Sequence, residues 1–229
     1  LYQQCIKQGV AFFDEFHLFG SLPAEVHHSR WFIAHVPADG SVRFEVLGLG
    51  LVGLSVAGPR SRDVLQAVAP DLDLSTEAFP FMTFRRVDLG MIPVHLARIN
   101  YAGDLGYELW VAPQYQRALF DAIVAAGEPH GLRLFGMRAL MSLRLEKNYG
   151  TWFREYRPIY TPLEAGITRY IKLDHEFIGR AAYERELAAG EPARKLVAMV
   201  VEPDPDDPAD VIGDEPIWHH DEVVGWVTS

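Results

Sequence analysis

Cysteine is almost absent from this sequence, and so are the features that mark membrane and nucleic-acid-binding proteins. A single cysteine, Cys5, excludes an internal disulfide framework and is typical of a reducing compartment. No apolar run approaches the length of a membrane span, and the N-terminus lacks the charged-then-apolar pattern of a signal peptide. The formal net charge of −10, with no run of Lys or Arg, argues against a nucleic-acid surface. We therefore expect a soluble protein of the cytoplasm, or of the mitochondrial matrix in a eukaryote, that holds any polyanionic cofactor through a few placed cations.

Several patterns that resemble cofactor or catalytic motifs lack the context that each motif needs. Gly48-Leu-Gly-Leu-Val-Gly53 fits the G-x-G-x-x-G dinucleotide pattern, but a predicted strand follows it where the motif requires a helix to hold the pyrophosphate. The pairs His27-His28 and His219-His220 cannot each chelate one ion, since neighbouring helical residues point about 100° apart. Cys5 has no recognisable partner pattern, and there is no G-x-S-x-G elbow. No metal site is predicted, and nucleophilic catalysis has little support.

The balance of residue types and the spacing of apolar residues predict a globular α+β protein. Apolar residues make up 49% and charged residues 23% of the chain, which is typical of a domain with a sizeable core. Alternating apolar residues predict strands at Ser41–Leu47, Leu51–Ala57, Met91–Ile99 and Tyr107–Val111. Helical spacing predicts helices at Ala24–His35, between Pro59 and Pro70, at Pro113–Ala126 and at Met137–Tyr149. The first helix is expected to bury Trp31 and Phe32. Because strands and helices do not alternate as regular β-α-β units, the predicted fold class is α+β.

The tail after about residue 190 is predicted to be a separate and smaller β unit. Lys195–Glu202 is a continuous apolar run, which predicts a strand buried on both faces. An acidic, proline-rich loop at Pro203–Pro208 follows it, and short strands are expected around Pro216–His219 and Glu222–Thr228. We expect this unit to be cut off by the end of the chain.

The most informative segment is the glycine-rich turn Asn100-Tyr-Ala-Gly-Asp-Leu-Gly-Tyr-Glu108, which joins two predicted strands. Its two glycines let the backbone turn sharply and approach a ligand closely. The turn displays Tyr101, and the strand after it carries Glu108 beside the large aromatic Trp110. A carboxylate next to aromatic faces suits a flat heterocycle with N–H donors, because it can accept two parallel hydrogen bonds. An ordinary hairpin with one exposed glutamate is the alternative.

Three further segments accompany this turn as recognisable motifs. Phe135–Lys147 looks like a helix of the type Gly-x-Arg-Asp-x-Leu-Arg-Leu-Glu, and Tyr160–Gly166 looks like Thr-Pro-x-Glu-Ala-Gly. Phe177–Arg180 reads Phe-Ile-Gly-Arg, and the turn itself is similar to Tyr-Thr-Gly-Glu-x-Gly-Tyr/Phe-Glu. In this order the four motifs resemble those of the aminomethyltransferase family, which includes the folate-binding T-protein of the glycine cleavage system.

Finer features resemble one branch of that family, the folate-binding domain of dimethylglycine and sarcosine dehydrogenases. They are Val56–Leu65, Phe79–Phe81, Leu145–Lys147 followed by Trp152, and Ile171–Asp174. Proteins of this branch are flavoproteins whose C-terminal half is aminomethyltransferase-like, so FAD is expected only if a separate upstream domain exists. The resemblance implies an aminomethyltransferase-type folate-binding domain at residues 1–190. It also implies that residues 191–229 are the start of an incomplete C-terminal β-barrel domain.

The resemblance further implies a cofactor, a reaction and a set of binding residues. The expected fold is a cloverleaf of α+β lobes around a folate channel, with a truncated β-barrel lobe at the C-terminus. The expected chemistry is one-carbon transfer from a small methylated amine to tetrahydrofolate, giving 5,10-methylenetetrahydrofolate, with a flavin-containing domain or subunit as partner. Glu108 is expected to hold the pterin, Tyr101 to contact the cofactor, and Arg138 to bind its glutamate tail. Phe81 falls near a ring-stacking position, though a core role explains it equally well, and Tyr2 matches a tyrosine at the ligand site.

The acidic pair Asp14-Glu15 is the expected catalytic centre. Family members hold a carboxylate thirteen residues after a tyrosine at the ligand site, and counting from Tyr2 reaches Glu15, with Asp14 just before it. Two departures stand out: the glycine pair expected before the acids reads Val10-Ala11, and the key aspartate is a glutamate. A glutamate reaches one methylene further, and small misplacements of a catalytic group are costly. Glu15 or Asp14 is therefore expected to act on the cationic intermediate and the proton at N10.

Three alternatives stay open at this point. The parent protein could be an oxidase or dehydrogenase in which this half only channels the product. The altered Asp14-Glu15 region also fits a non-catalytic folate-binding or scaffold module. Finally, a folate-dependent demethylase that acts on another methylated donor would use the same domain.

Overall fold

The computed structural model describes residues 22–152, 154–202, 204–206 and 211–229. The chain divides into two compact units, and each is described by itself. The first, here called the sheet unit, is Arg43–Tyr149, and the second combines Leu1–Val42 with Gly150–Ser229. The domain boundary expected at residue 190 stays a prediction.

Helices and antiparallel strands occur together, which confirms the α+β class. The α-helices are α1 (Leu22–His35), α2 (Ser61–Val68), α3 (Gln116–Gly127), α4 (Met137–Glu146) and α5 (Arg180–Ala189). The strands are β1 (Val52–Ala57), β2 (Phe84–Leu89), β3 (Ile92–Ala97), β4 (Gly106–Val111), β5 (Pro216–His219) and β6 (Glu222–Trp226). In the described part of the chain, no helix has the length and apolar character needed to cross a membrane.

A four-stranded antiparallel sheet in the order β1-β4-β3-β2 forms the centre of the sheet unit. β1 pairs with β4 along its whole length, from Val52 opposite Val111 to Ala57 opposite Gly106. β3 lies between β4 and β2, and the two-residue turn Gly90-Met91 joins it to β2. Because successive side chains of a strand point to opposite faces, this register assigns every sheet residue to one of two faces.

One face of the sheet is closed by α2 and α3 and carries the hydrophobic core. Tyr107, Leu109 and Val111 of β4 are 0%, 0% and 1% exposed, and the helices add Leu65 and Leu119, both at 0%. These side chains belong to one buried cluster with residues from β1 and β3. Fully burying one such apolar side chain contributes about 1.5–3 kcal/mol, so this face supplies the main stabilisation of the unit.

The second unit contains α1, α5 and the β5–β6 hairpin, whose loops are tied by polar contacts. The Trp226 indole N–H donates to the Tyr160 hydroxyl at 2.9 Å. The Arg194 guanidinium pairs with the Glu164 carboxylate, also at 2.9 Å. In the described part of the tail, β5 and β6 form a two-stranded sheet and no closed barrel. The β-barrel lobe therefore stays a prediction.

The predicted strand at Lys195–Glu202 is wrong. Leu196 N donates to Glu164 O at 2.8 Å, but no strand forms, and Val200 is 95% exposed. An apolar run becomes a buried strand only where another strand satisfies its backbone groups. Among the described residues, β5 and β6 pair only with each other, and the run pairs with neither of them.

Two expectations near the start of the sheet unit and in α1 are also wrong. Ser41–Leu47 forms no strand, and its Val46 is 48% exposed, because alternation alone does not supply a pairing partner. In α1, Trp31 is 46% exposed and its ring stacks on that of His35 with centroids 4.1 Å apart. Phe32 is half-buried.

Two elements were not predicted from the sequence, β2 and α5. β2 reads Phe84-Arg-Arg-Val-Asp-Leu89 and lies at the edge of the sheet, where polar side chains replace the expected apolar alternation. Gly90, with φ of 63°, opens the turn into β3 and is a signal that could have revealed the hairpin. Arg180–Ala189 consists mainly of good helix formers but has only one buried side chain, Tyr183. It therefore lacks the apolar stripe by which a helix is predicted from the sequence.

Replacing Leu109 with alanine should destabilise the sheet unit by about 2–5 kcal/mol, because the side chain is fully buried between strands and helices and a cavity would remain. Urea unfolding followed by circular dichroism measures the change. The control is Val46→Ala, an apolar truncation at an exposed position, which should stay within about 0.5 kcal/mol of the wild type. Equal losses in both variants would contradict the core described here.

Candidate functional site

The turn between β3 and β4 is held in shape by the side chain of Asn100. Its Oδ1 accepts a hydrogen bond from Ala102 N at 2.8 Å, and its Nδ2 donates to Asp104 O at 3.0 Å. One side chain thus bonds the backbone on both sides of the turn, as short polar residues do at turns. Tyr101, at the tip, is half-buried.

Gly103 is required in this turn for two reasons. Its φ is +81°, a left-handed conformation that residues with a side chain rarely adopt. In addition, a Cβ at this position would lie 2.2 Å from the Lys147 Cγ. The Lys147 ammonium is 3.7 Å from the Asp104 carboxylate, so the turn is anchored to the residue that follows α4.

Glu108 lies on the face of the sheet opposite the core, among short side chains. Directly opposite it are Ser55 of β1 and Ala97 of β3. The next pair along the two strands on this face is Ala57 and Gly106. We call these four residues the floor. The Asn100 side chain covers Gly106, and Ala97 is only 4% exposed. The open part of the floor is therefore at Ser55 and Ala57, whose short side chains leave room for a flat ring beside the carboxylate.

Aromatic rings bound this floor on one side. Trp110 follows Glu108 by two residues on the same face, and it is paired with Gly53 of β1 and His95 of β3. The Phe84 ring stacks on the His95 ring with centroids 5.6 Å apart and planes 28° apart. The arrangement therefore combines a carboxylate, a floor of small residues and an aromatic wall, which suits a planar ligand.

The carboxyl group of Glu108 is electrostatically perturbed. Burial raises its pKa above the ordinary value, and the neighbouring Trp110 side chain opposes the rise without cancelling it. A half-buried carboxylate of this kind gains more from ligand N–H donors than an exposed one does, because fewer waters compete for it. The alternative of an ordinary hairpin with an exposed glutamate is wrong, since Glu108 is half-buried.

The other expected binding residues of the sheet unit occupy separate positions. Phe81 is 69% exposed in the segment before β2, so the core role considered for it is wrong. Arg138 is exposed in the first turn of α4. Lys147 is nine residues further along, which corresponds to about 13 Å at 1.5 Å per residue. Arg138 thus stands roughly a helix length away from the turn that carries Tyr101.

The remaining expected residues, Tyr2, Asp14 and Glu15, lie outside the described residues, and their roles stay predictions. No group of three or more His, Cys, Asp or Glu able to hold a metal ion occurs among the residues that the structure describes.

Sequence reasoning identified Glu108 but missed the residues that surround it. Gly53, Ser55 and Ala57 alternate with apolar residues along β1, and this alternation of small residues was the available signal. The same Gly53 closes the false dinucleotide motif. A short 3₁₀ turn at Gly48–Gly50 precedes β1, so the strand predicted after the glycines, in place of the helix that the motif requires, is confirmed.

Comparison with known proteins gives one family and several relatives. Residues 12–175 match the family described as GCVT N-terminal domain. Human mitochondrial dimethylglycine dehydrogenase is 38% identical over 221 residues, covering 94% of this chain and 25% of the relative. Mouse mitochondrial sarcosine dehydrogenase is 42% identical over 176 residues, covering 76% of this chain and 18% of the relative. The mouse mitochondrial pyruvate dehydrogenase phosphatase regulatory subunit is 27% identical over 221 residues, covering 93% of this chain and 25% of the relative. The chain therefore spans about a quarter or less of these relatives.

The raised pKa of Glu108 predicts a pH dependence of stability. Since burial raises this pKa, the folded protein holds a proton that the unfolded chain releases as the pH rises above the usual 4.5. Stability therefore falls with rising pH through that window, because the folded state binds more protons there. Glu108→Gln cannot titrate. It should gain stability relative to the wild type as the pH is raised from 4.5 towards neutrality, as measured by urea unfolding at several pH values.

The control is Glu164→Gln, for which the change in stability with rising pH, relative to the wild type, should have the opposite sign. A hydrogen bond from the Thr161 backbone N–H, with help from Arg194, lowers the pKa of Glu164. Its contribution to stability is therefore present above the ordinary carboxyl pKa and is lost as the pH falls through the lowered value. The same pH slope in wild type and Glu108→Gln would contradict the burial described for Glu108.

Proposed function

This chain belongs to the family of GCVT N-terminal domains, and from that premise we propose that it binds tetrahydrofolate and transfers a one-carbon unit to it. The donor is a small methylated amine and the product is 5,10-methylenetetrahydrofolate. The observation that carries this proposal is Glu108, a half-buried carboxylate on a floor of small residues beside an aromatic wall.

Glu108 fits a pterin for reasons of both shape and hydrogen bonding. A pterin ring is flat and presents an amino group next to a ring N–H, and one carboxylate can accept both bonds in parallel. The short side chain of Ser55, which is exposed, leaves room for the ring beside the carboxylate. The residues present therefore fit the cofactor.

Tyr101 and Arg138 serve the remaining parts of an elongated cofactor. Tyr101 lies in the turn that leads directly into β4, so it can contact a ring bound at Glu108. Arg138 is an exposed arginine about a helix length from that turn, where it can pair with a carboxylate tail. Phe81, which is 69% exposed, is available for stacking.

Bound tetrahydrofolate supplies the nucleophilic nitrogens N5 and N10. The chain's own residues bind and orient it and handle charge and protons. Glu108 fixes the ring through its carboxylate, and Arg138 neutralises the tail. Glu15 or Asp14 stabilises the positive charge of the incoming one-carbon unit and takes the proton from N10. Tyr2 completes the ligand site at the N-terminal end.

We propose that the parent protein generates the one-carbon unit outside this domain. The relatives named dimethylglycine dehydrogenase and sarcosine dehydrogenase are about four times longer than the matched region or more. We therefore place the oxidation of the amine in a flavin-containing domain or subunit and assign the capture of its product to this chain. Both relatives are named mitochondrial. A location in the cytoplasm or the mitochondrial matrix stays a prediction for this chain.

A second candidate is a folate-binding module without turnover. Two observations favour it: the altered sequence Val10-Ala11 before Asp14-Glu15, and the similarity over 93% of the chain to a protein named as a regulatory subunit. The two candidates share the ring site at Glu108 and differ only in whether Glu15 or Asp14 is active.

Calorimetric titration with tetrahydrofolate tests the binding site. Glu108→Ala should weaken binding by about 1.5–3 kcal/mol, roughly 10- to 150-fold in Kd, because it removes hydrogen bonds to a charged group. Arg138→Ala should cost less than about 1 kcal/mol, and the loss should shrink as salt is added, because this side chain is exposed. The matched control is Arg117→Ala, another exposed arginine, on α3, paired with Asp121. Wild-type affinity in Glu108→Ala would reject the proposed site.

Turnover separates the two candidate functions. Glu15→Gln and Asp14→Asn are compared for the rate of 5,10-methylenetetrahydrofolate formation, with the one-carbon unit generated in situ by oxidation of a methylated amine. Replacing the acid that acts in the reaction should lower the rate of product formation by about 100- to 10,000-fold. The affinity for tetrahydrofolate should stay unchanged. Tight binding by the wild type without a rate above the uncatalysed background would establish the non-catalytic candidate instead.

A further inference from the structure

The exposed side chain of Phe81 belongs to a tight turn that leads into β2. Thr83 N donates to Pro80 O at 3.1 Å and closes the turn, so Phe81 and Met82 are its two central residues. Met82 has a φ of +68°, a left-handed conformation that residues with a side chain rarely adopt. Such a backbone persists only where the surrounding structure holds it, so the contacts around this turn matter.

Arg98, the residue after β3, bonds to the chain on both sides of Phe81. Its backbone O accepts from Met82 N at 3.2 Å, and its backbone N donates to Thr83 O at 2.8 Å. Its guanidinium donates from Nη1 to Phe79 O at 2.6 Å, a short charge-assisted hydrogen bond. One half-buried arginine thus holds the segment before the exposed ring and the segment after it.

The turn lies at the end of a row of residues that crosses the sheet through Glu108. Phe84 of β2 is directly opposite Ala97 of β3, which is itself opposite Glu108 of β4. Because neighbouring strands lie about 4.8 Å apart, the backbone of Phe84 is roughly 10 Å from that of Glu108. Phe81 precedes Phe84 by three residues, and Arg98 directly follows Ala97. A ligand with two ring systems, held at Glu108, is long enough to reach this edge of the sheet.

Packing of Phe79 anchors the start of the segment but does not direct the turn. Phe79 is 0% exposed, and the centroids of its ring and the Tyr107 ring are 6.2 Å apart. This contact fixes the Phe79 side chain in the core. The direction in which the chain leaves Phe79 is set by its backbone, and the Arg98 guanidinium bonds to that backbone. A hydrogen bond to a charged donor fixes direction as well as distance.

We propose that Arg98 is a positioning residue for Phe81: it fixes the turn that presents the Phe81 ring at the sheet edge, where the ring stacks on a ligand held at Glu108. This proposal rests on the function proposed above and adds to it the residue that presents the stacking ring. Arg98 acts through the turn and does not itself contact the ligand.

Fluorine NMR with para-fluorophenylalanine at position 81 measures how firmly the ring is held in the ligand-free protein. Arg98→Met removes the donor and keeps an unbranched side chain. Fluorine relaxation should then show a larger amplitude of ring motion, because the turn loses its bond at Phe79 O. Arg98→Gln is a milder second variant with a shorter side chain and should loosen the ring in the same direction. Arg98→Lys keeps a charged donor and should restore most of the wild-type relaxation.

Two controls separate this effect from a general loss of structure. A fluorine label at Phe135, another exposed phenylalanine of the sheet unit, should relax identically in wild type and Arg98→Met. Arg133→Met is the matched variant, since Arg133 also donates to a backbone carbonyl, that of Leu132 at 3.0 Å. It should leave the ring at position 81 unchanged. Unchanged motion of that ring in both Arg98→Met and Arg98→Gln would overturn the proposal.

A double-mutant cycle with tetrahydrofolate tests the consequence for binding. Phe81→Leu removes the aromatic face and should weaken binding by about 2- to 10-fold. Arg98→Met should weaken it by no more than that, and the double variant should bind about as weakly as Phe81→Leu alone, because Arg98 acts through the ring. Arg133→Met should bind like the wild type.

The outcomes for the two proposals are distinguishable. No binding by the wild type overturns the proposed function and with it the stacking role of Phe81, whatever the fluorine relaxation shows. Wild-type binding with losses that multiply in the double variant overturns the positioning role alone, because Arg98 would then act independently of Phe81. An equal loss of affinity in Arg133→Met and Arg98→Met would also overturn it.

Discussion

The pairing register between β1 and β4 is the constraint on which the rest of the structure depends. Val56 stands opposite Tyr107, so both reach the core, and Ser55 stands opposite Glu108 on the other face. A slip by one residue would exchange the faces of the slipped strand and direct Glu108 towards the core helices. Burying an unpaired carboxylate there would be very costly. The packing that stabilises the sheet unit therefore also fixes the face on which Glu108 lies.

The electrostatics of Glu108 reflect a balance between stability and binding. Partial burial disfavours the charged carboxylate in the free protein, as its raised pKa shows. The same burial reduces competition from water, so N–H donors of a bound ring gain more from the carboxylate than they would at an exposed site. The overall charge works against an anionic ligand, since the chain carries a formal net charge of −10. The proposed binding of a carboxylate tail by Arg138 would supply a placed cation where the chain as a whole carries no excess of positive charge.

Local sequence patterns correctly predicted the helices and strands that form because of the residues within their own segments. The strands around Glu108, the helix stopped at Gly127 and the false dinucleotide motif all follow from periodicity, glycine and proline, and the structure agrees with each. The failures at Ser41–Leu47 and Lys195–Glu202 share another cause, because a strand exists only if a partner pairs with it. The floor and the aromatic wall were missed for the same reason. They come from four strands, and only the register shows that Ser55 and Ala97 flank Glu108.

The residues proposed to bind the ring and those proposed to act in the chemistry lie in different parts of the chain. Tyr101, Glu108 and Arg138 all belong to the sheet unit, together with the floor and the wall, whereas the acids Asp14 and Glu15 precede it in the sequence. The register that orients Glu108 is set entirely within Arg43–Tyr149. A member of the family could therefore change its N-terminal acids without losing the proposed ring site. A fold of this kind can serve both in dehydrogenases and in a protein named as a regulatory subunit. Family membership alone consequently predicts the ligand more firmly than it predicts turnover.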